Sequence, residues 1–463
     1  MRSFFVNSSL LCNFAVRKHF YMKYTKYLLL LLLTASCASQ QSVRHRGSHQ
    51  ADVRPVVPAV KQASTTVVTE DETSKQETVN IQPSLPQTQS AASQTWQDRK
   101  RQALDSLCRA PFLETTQLGL YVYDLTDEQP LYAIGEAQRM RPASCQKVVT
   151  AVTALHYLGG DYQFRTDFRI TGSVKARVLE GDLIVVGGMD PLVTAEELLQ
   201  AAASIKQQQG IDRISGHIIY DLSMREDKEF GWGWCWDDDY GPLSALLVDG
   251  KATFEKNWLQ ALQKAGIQTK NQSSNAKSQK NASRSVYSIL HDIDNLLVPM
   301  MKNSDNIYAE CLFYQTAALA GKKWASRKEG AQRTEELLSR IGLDPSPYQV
   351  ADGSGLSLYN YVSAEMLVSM LCHAWRTQQI REHLLPSLPI AGVDGTLEKR
   401  MQGTQAQGNV HAKTGTVTGI SSLAGYLTAA NGHTLVFAII NQGISSAAIG
   451  RTFQDKVCQE LCR

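Results

Sequence analysis

The chain has 463 residues, of which 43% are hydrophobic and 20% are charged, the composition of an ordinary globular protein. Its 47 lysines and arginines nearly balance its 44 aspartates and glutamates, for a net charge of +3. This composition predicts neither a nucleic-acid-binding protein nor a wholly disordered chain. The length exceeds the roughly 250 residues of a single hydrophobic core and predicts a second domain or a large insertion.

Residues 1–37 are predicted to be a signal region for export. From Met22 the chain has two lysines, six leucines at 28–33 and then small residues, and the apolar run is too short to span a bilayer as a stable helix. Met22 is the predicted true start, because the preceding residues lie upstream of a complete signal. Cys37 resembles the lipid-modified cysteine of a bacterial lipobox. An ordinary signal peptide is the alternative, because Thr34 stands where that box usually has leucine.

Residues 38–97 are predicted to be a flexible tether. They are rich in Ser, Thr, Gln and Val with scattered Pro, and they show no sustained period of 2 or 3.6 residues. Such a segment cannot bury enough apolar surface to offset its ordering entropy. It would let a membrane-anchored domain reach some distance from its lipid.

Ordered structure is predicted from near Trp96. Residues 118–124 and 131–134 predict two short strands about a turn. The run of Ala, Val and Leu at 148–158 predicts a helix, and Ser144 marks the approach to its start.

The chain then changes character and predicts a small α/β domain inserted into the main domain. Strand-like runs at 183–186 and 217–221 flank a helix at 195–208. The predicted domain limits are 98–163 with 250–463 for the main domain and 164–249 for the inserted domain.

The rest of the chain is predicted to contain three helices followed by a β-hairpin. Helices are expected at 254–265, 286–301 and 306–320, with a mobile polar loop at 270–284. Apolar alternation at 421–427 and 434–440 flanks Asn431-Gly432 and predicts an antiparallel hairpin.

Three short motifs occur in order and carry the predicted chemistry: Ser144-Cys145-Gln146-Lys147, Ser304-Asp305-Asn306 and Lys413-Thr414-Gly415. A Ser and a Lys three apart at a helix start point to the same side, so a partly neutral Lys147 amine can act as base toward Ser144. Burial and the charge of Lys413 would both lower the pKa of Lys147. The Ser144 N–H, at a helix start, is a candidate for one half of an oxyanion hole.

A second S-x-x-K occurs at Ser274-Asn275-Ala276-Lys277. It lies in the polar tract with no helix behind it and no apolar surroundings to shield an amine, so it is interpreted as a chance match. Lys413-Thr414-Gly415, in contrast, leads into a strong strand, where Gly415 lets substrate approach the backbone closely.

The motifs and their surroundings resemble one protein family from about Leu104 to the end. The matching stretches are R-P-A-S-C-Q-K-V-V-T-A around Ser144, D-G-S-G-L-S from Asp352, L-P-I-A-G-V-D-G-T-L from Leu388 and A-K-T-G-T-V-T-G-I-S-S-L-A-G-Y from Ala412. They are similar to the class C low-molecular-mass penicillin-binding proteins, the D-Ala-D-Ala carboxypeptidase and endopeptidase family of the penicillin-binding protein 4 type.

The resemblance implies an α+β fold, a penicillin-recognising serine-enzyme (β-lactamase/transpeptidase-like) domain in which helices flank an antiparallel sheet. The long gap between the first two motifs fits the family's inserted domains and not the compact class A β-lactamases. A second, β-rich inserted domain of the family is missing here, because the chain passes from Asp249 almost directly to the helix at 254. Any function of that domain is therefore in doubt.

The resemblance also implies a role for each motif residue. Ser144 would be the acylated nucleophile, Lys147 its base, and Ser304 the relay of a proton to the leaving amine. The implied substrate-binding residues are Asn306 for the substrate amide, Lys413 for positive charge, Gly415 for close approach, and Thr414 and Thr416 for the terminal carboxylate of D-Ala, with the Thr416 N–H completing the oxyanion hole.

The implied function is serine-type D-Ala-D-Ala carboxypeptidase or endopeptidase action on peptidoglycan stem peptides, with β-lactams as covalent inhibitors. The family needs no metal and no cofactor, and the ten histidines form no H-E-x-x-H. The chain would work on the periplasmic side of a bacterial membrane, lipid-anchored to the outer membrane through Cys37. A β-lactamase and a catalytically silent wall-binding lipoprotein are the alternatives.

Overall fold

The structure is a computed structural model that describes residues 94–235, 238, 241–274, 283–322 and 324–463. The predicted signal region, with Met22 and Cys37, and the predicted tether as far as residue 93 lie outside the described residues. Within the described ranges, no helix is long and apolar enough to cross a membrane.

The described chain contains both helices and strands. The helices are α1 Trp96–Leu107, α2 Gln146–Leu158, α3 Ala195–Gln209, α4 Phe254–Lys264, α5 Ile293–Lys302, α6 Asn306–Ala318, α7 Arg327–Arg340, α8 Ala364–Arg376, α9 Gln378–Ser387 and α10 Ala447–Cys462. The strands are β1 Gln117–Asp124, β2 Gln129–Ile134, β3 Gln163–Ile170, β4 Ser173–Lys175, β5 Val178–Glu180, β6 Leu183–Val186, β7 Arg213–Asp221, β8 Gln268–Ser274, β9 Arg284–Asp292, β10 His411–Val417, β11 Ile420–Thr428 and β12 Thr434–Gln442.

The first sheet is antiparallel, with the strand order β10-β11-β12-β1-β2. Both hairpins predicted from the sequence lie in it. Leu423 of β11 and Leu120 of β1 stand opposite Ile439 of β12, so the apolar alternation of three strands falls on one face.

Helices cover both faces of this sheet. On one face, α1 and α10 bury a core that includes Leu104, Leu423 and Val457. On the other face, α2, α5, α6 and α8 pack around a larger core that includes Val149 and Leu312. The sheet between two helical layers is the predicted α+β architecture.

The second sheet is mixed, with the order β4-β5-β7-β6-β3-β9, and β8 pairs with β7. Strand β7 is parallel to β5, β6 and β8, whereas β3 is antiparallel to β6 and β9. Helices α3 and α4 contribute to its core, where the Phe168 and Trp258 ring centroids are 4.7 Å apart.

The second sheet corrects three sequence predictions. Residues 270–274 belong to β8, although the polar tract 270–284 was predicted to be a loop; pairing with β7 through the backbone needs no apolar side chains. Residues 286–292 form a strand and not the start of a helix. The inserted core contains Phe254, Trp258 and Ile289, so the domain limit predicted at residue 249 is wrong.

Candidate active site

Ser144 lies in a short 3-10 helix, Ala143–Cys145, directly before α2. The preceding Ala143 has a φ of 47°, in the left-handed region that residues with a Cβ rarely adopt. Such a conformation costs about 1–3 kcal/mol and persists only where the surrounding structure fixes it. The backbone at Ser144 is therefore held in a conformation that local preference alone would not produce.

Contacts from the first sheet supply that restraint. Ser422 Oγ of β11 donates to the Pro142 carbonyl at 2.6 Å, and Cys145 Sγ donates to the Lys413 carbonyl at 3.2 Å. A Cβ at Gly415 would lie 2.7 Å from the Pro142 carbonyl oxygen and 3.0 Å from the Cys145 nitrogen. Glycine at 415 thus allows β10 to lie directly against the segment that carries Ser144.

Lys147 is completely buried, and its amine contacts each side of the site. Its Nζ donates to Ser144 Oγ at 3.1 Å, to Asn306 Oδ1 at 2.6 Å and to the Ser354 carbonyl at 2.8 Å. The first contact is the one predicted from the i,i+3 spacing on α2. Asn306, predicted to bind the substrate amide, here contacts Lys147 through its side-chain oxygen.

Burial and charge make the Lys147 amine easy to deprotonate. Burial, followed by the positive charge of Lys413, lowers the pKa of Lys147 from 10.5 to about 7. Three carboxyl groups, of Asp352, Glu310 and Asp305, oppose this shift. Burial also lowers the pKa of Lys413, to about 8. A substantial neutral fraction of Lys147 is therefore present at neutral pH.

Ser304 and Lys413 form the opposite side of the site. Lys413 Nζ donates to Ser304 Oγ at 3.0 Å and to the Thr414 carbonyl at 2.8 Å. Ser304 has a φ of 63°, again in the left-handed region. Asp305 begins α6 by accepting the Tyr308 N–H at 3.0 Å, which fixes the turn that presents Ser304.

Thr414 and Thr416 are two residues apart on β10, so they point to the same face of the strand. Thr416 is exposed, and Thr414 is partly buried. Thr414 Oγ1 donates to Thr396 Oγ1 at 2.7 Å, a contact that the sequence did not predict. Strand β10 is an edge of the first sheet, and these hydroxyls stand along that edge.

The loop at 352–360 supplies the Ser354 carbonyl that holds Lys147. The buried Asp352 carboxyl accepts the Gly355 N–H at 2.8 Å and the Trp234 indole N–H at 2.9 Å. Glu310 of α6 accepts the Ser354 N–H at 2.9 Å. The stretch D-G-S-G-L-S was predicted only to support the family resemblance. Glu310 was missed, although its position four residues after Asn306 places both on one helix face.

A possible metal-ligand group among the described residues is Asp124, Asp127 and His433. It lies where β1 ends and β12 begins, and these strands are three and two positions away from β10 in the sheet. His433 Nδ1 is 2.7 Å from Asp124 Oδ2, and this hydrogen bond raises the pKa of the imidazole. The cluster is accounted for by a His–Asp ion pair that ties the two strands together.

The sequence model of the D-Ala-D-Ala carboxypeptidase 3 (S13) family matches residues 100–253 and 242–461 of this chain. The chain belongs to the S13 family. The family predicted from the motifs is thereby confirmed, and with it the enzyme class, a serine-type D-Ala-D-Ala carboxypeptidase.

Two S13-type relatives illustrate the extent of the similarity. A D-alanyl-D-alanine carboxypeptidase of Actinomadura sp. (strain R39) is 27% identical, over 79% of this chain and 86% of the relative. The D-alanyl-D-alanine carboxypeptidase DacB of Haemophilus influenzae is 26% identical, over 72% of this chain and 87% of the relative.

Solved structures show the same fold. Penicillin-binding protein 4 (dacB) from H. influenzae superposes with a TM-score of 0.69 at 24% identity, covering 77% of this S13 chain and 98% of that chain. Its complex with a novel β-lactam gives a TM-score of 0.65 at 26% identity, with the same coverage. The predatory peptidoglycan endopeptidase Bd3459 of Bdellovibrio bacteriovorus shares the fold at a TM-score of 0.52 and 18% identity, over 75% of this chain and 92% of that chain. The predicted fold class is confirmed.

Proposed function

We propose that this S13 protein cleaves peptidoglycan stem peptides after D-Ala, as a carboxypeptidase and endopeptidase, through an acyl-enzyme on Ser144. The observation that carries the proposal is the buried Lys147 amine, 3.1 Å from the Ser144 hydroxyl and with its pKa lowered to about 7. A neutral amine in that place can accept the hydroxyl proton. Relatives named D-alanyl-D-alanine carboxypeptidase support the substrate class.

Acylation begins as Lys147 Nζ accepts the Ser144 proton and Ser144 Oγ attacks the carbonyl carbon of the penultimate D-Ala. The developing oxyanion is assigned to the backbone N–H groups of Ser144 and Thr416. The C–N bond to the terminal residue then breaks, and an ester joins Ser144 to the shortened peptide. The proton that Lys147 has taken up passes through the Ser304 hydroxyl, which contacts Lys413 at 3.0 Å, to the leaving amine, so that Ser304 keeps its hydroxyl and Lys147 is neutral again.

Substrate recognition is assigned to the edge strand β10. Thr414 and Thr416 would hold the terminal carboxylate, with Lys413 supplying positive charge. An extended peptide can add to the free edge of the sheet and lie close to the backbone at Gly415. Asn306 Oδ1 already accepts from Lys147, so its Nδ2 is the atom assigned to the substrate amide.

Hydrolysis is completed when water attacks the ester and Lys147 accepts the proton of that water. The reaction is that of a carboxypeptidase when the leaving amine is free D-Ala. It is that of an endopeptidase when the leaving amine belongs to the cross-linked neighbouring stem. β-Lactams would acylate Ser144 in the same way, because their strained amide occupies the place of the scissile bond.

A fluorescent penicillin and purified muropeptides test this function. We expect covalent labelling and D-Ala release or cross-link cleavage by the wild type, and neither by Ser144→Ala. Ser274→Ala removes the other S-x-x-K serine and is the matched control, so it should behave like the wild type.

Three outcomes would contradict the proposal. A folded wild type without labelling would exclude the acyl-enzyme. Labelling without muropeptide turnover would favour the silent wall-binding lipoprotein. Rapid penicillin hydrolysis without muropeptide cleavage would favour the β-lactamase.

For the cellular location, we propose export and lipid attachment at Cys37, on the periplasmic side of the outer membrane. The support is the six-leucine run and the small residues before Cys37, together with wall-directed relatives such as DacB of H. influenzae. The tether at 38–97 would then separate the catalytic domain from the lipid.

A further inference from the structure

Glu310 is a buried carboxyl that the proposed steps do not use. It lies on α6, and its exposed fraction is 1%. Its Oε1 accepts the N–H groups of Gly353 at 3.0 Å and of Ser354 at 2.9 Å. Burying a carboxyl away from water costs free energy unless hydrogen bonds compensate the loss of hydration. The two hydrogen bonds therefore hold the loop at 352–360 and the Glu310 side chain together.

The two N–H groups belong to the segment that orients the catalytic amine. The Ser354 carbonyl accepts from Lys147 Nζ at 2.8 Å, and the Gly353 carbonyl accepts from Thr150 Oγ1 at 2.6 Å. Both acceptors face α2. A displacement of the Ser354 N–H from Glu310 would therefore move the carbonyl that holds Lys147.

Glu310 also belongs to the charges that surround the Lys147 amine. Lys413, from β10, favours the neutral amine, whereas Asp352 from the loop and Glu310 and Asp305 from the α6 segment favour the charged amine. Burial, and next the neighbouring Asp352, raise the pKa of Glu310 to about 8. Glu310 is therefore mostly protonated at the pH at which Lys147 titrates, and its hydrogen bonds act there in place of its charge.

We propose that Glu310 is a positioning residue for Lys147, which holds the Ser354 carbonyl in place by accepting the Gly353 and Ser354 N–H groups. The inference rests on the proposed function, in which Lys147 accepts the Ser144 proton. Loss of the acceptor displaces Ser354 at every pH, whereas a neutral acceptor of the same shape keeps the contacts.

Glu310→Gln keeps the acceptor, because the amide oxygen still accepts both N–H groups. The measurement is the rate of penicillin acylation of the full chain between pH 5 and 9. We expect the rate and the position of the rising limb, where Lys147 loses its proton, to stay close to those of the wild type, because the wild-type carboxyl is mostly uncharged over that limb.

Glu310→Ala isolates the acceptor. We expect acylation to fall on the order of 10- to 100-fold at every pH, because the Lys147 amine is no longer aligned with Ser144. The matched control is Glu329→Gln on α7, a buried glutamate that accepts the Ser326 N–H at 2.9 Å. Glu329 is not among the groups that act on Lys147, so the control should keep the wild-type pH profile.

The inference is overturned if folded Glu310→Ala keeps the wild-type rate, or if folded Glu310→Gln loses as much rate as Glu310→Ala. Thermal melting establishes folding, and if the alanine variant does not fold, Glu310→Met, which fills the same volume without an oxygen acceptor, takes its place. Failure of the proposed function looks different, because the wild type itself would then show no labelling at Ser144.

Discussion

Lys147 is enclosed by acceptors, and its buried amine must be neutral for part of the time to take a proton. Lys147→Arg keeps a cation of similar reach that cannot deprotonate. We expect the acylation rate to fall about 10²- to 10⁴-fold, the usual effect of a lost general base, with a nearly unchanged melting temperature. Stopped-flow acylation by a chromogenic β-lactam measures the rate. Near-wild-type acylation would show that another group takes the proton.

At the residue scale, the sequence predicted side chains that meet in the candidate site. The contact of Ser144 with Lys147 was predicted because their spacing at a helix start brings the two side chains together. The Ser354 carbonyl was not found, because a main-chain acceptor leaves no residue type to recognise. Glu310 was missed for a related reason, since its partners are backbone N–H groups of a loop far along the chain.

His291 of β9 connects this strand to α3 and to the loop that precedes α3. Its Nδ1 lies 2.7 Å from Asp190 Oδ2 before α3, and its Nε2 lies 2.9 Å from Glu197 Oε1 in the first turn of α3. The hydrogen bond to Asp190 is the main cause of its pKa, which is raised from 6.5 to about 9. Strand β9 is thus joined to α3 by a charged imidazole at neutral pH.

This linkage predicts a loss of stability in alkali. Because the folded pKa of His291 exceeds the unfolded value, the stabilisation is fully present below about pH 6.5 and is lost as the pH rises through about 9. Between pH 6 and 9.5, we expect wild type to lose about 1–2 kcal/mol more unfolding free energy than His291→Gln. Urea unfolding at the two pH values measures this, and equal losses would contradict it.

The predicted elements were most accurate where turn chemistry or capping marked their ends. Asn431-Gly432 located the β11–β12 hairpin to within two residues at the strand ends. Strand β9 was missed because it runs into α5 at Asp292 with no glycine or proline between them, so one apolar pattern continued across both. Strand β8 was missed because polar side chains hide a pairing made by the backbone.

At the scale of the whole molecule, the sequence predicted two domains but not the full extent of the second. Strands β3 and β9 are the first and last strands of the second sheet along the chain. They pair with each other although they lie about 120 residues apart in sequence. Sequence periodicity reports local structure and carries no signal for such a pairing. The family resemblance supplied the global topology that periodicity could not.

The proposed lipid anchor predicts a change of compartment. Cys37→Ala should move the mature protein from the membrane fraction into the soluble exported fraction, because the lipid is lost while the signal remains. A chain that starts at Met22 should behave as the full-length one does. Immunoblots of fractionated cells report the result, and unchanged membrane attachment of Cys37→Ala would favour the ordinary signal peptide.

The left-handed backbone at Ala143 and Ser304 has a consequence for engineering this enzyme. Glycine adopts that region without strain, so a screen for heat tolerance alone would tend to select glycine at either position. At Ala143 the same change would loosen the main chain next to Ser144, and at Ser304 it would also remove the hydroxyl proposed as the proton relay. Selection for durability and selection for turnover therefore act in opposite directions at these two positions, one on each side of the cleft.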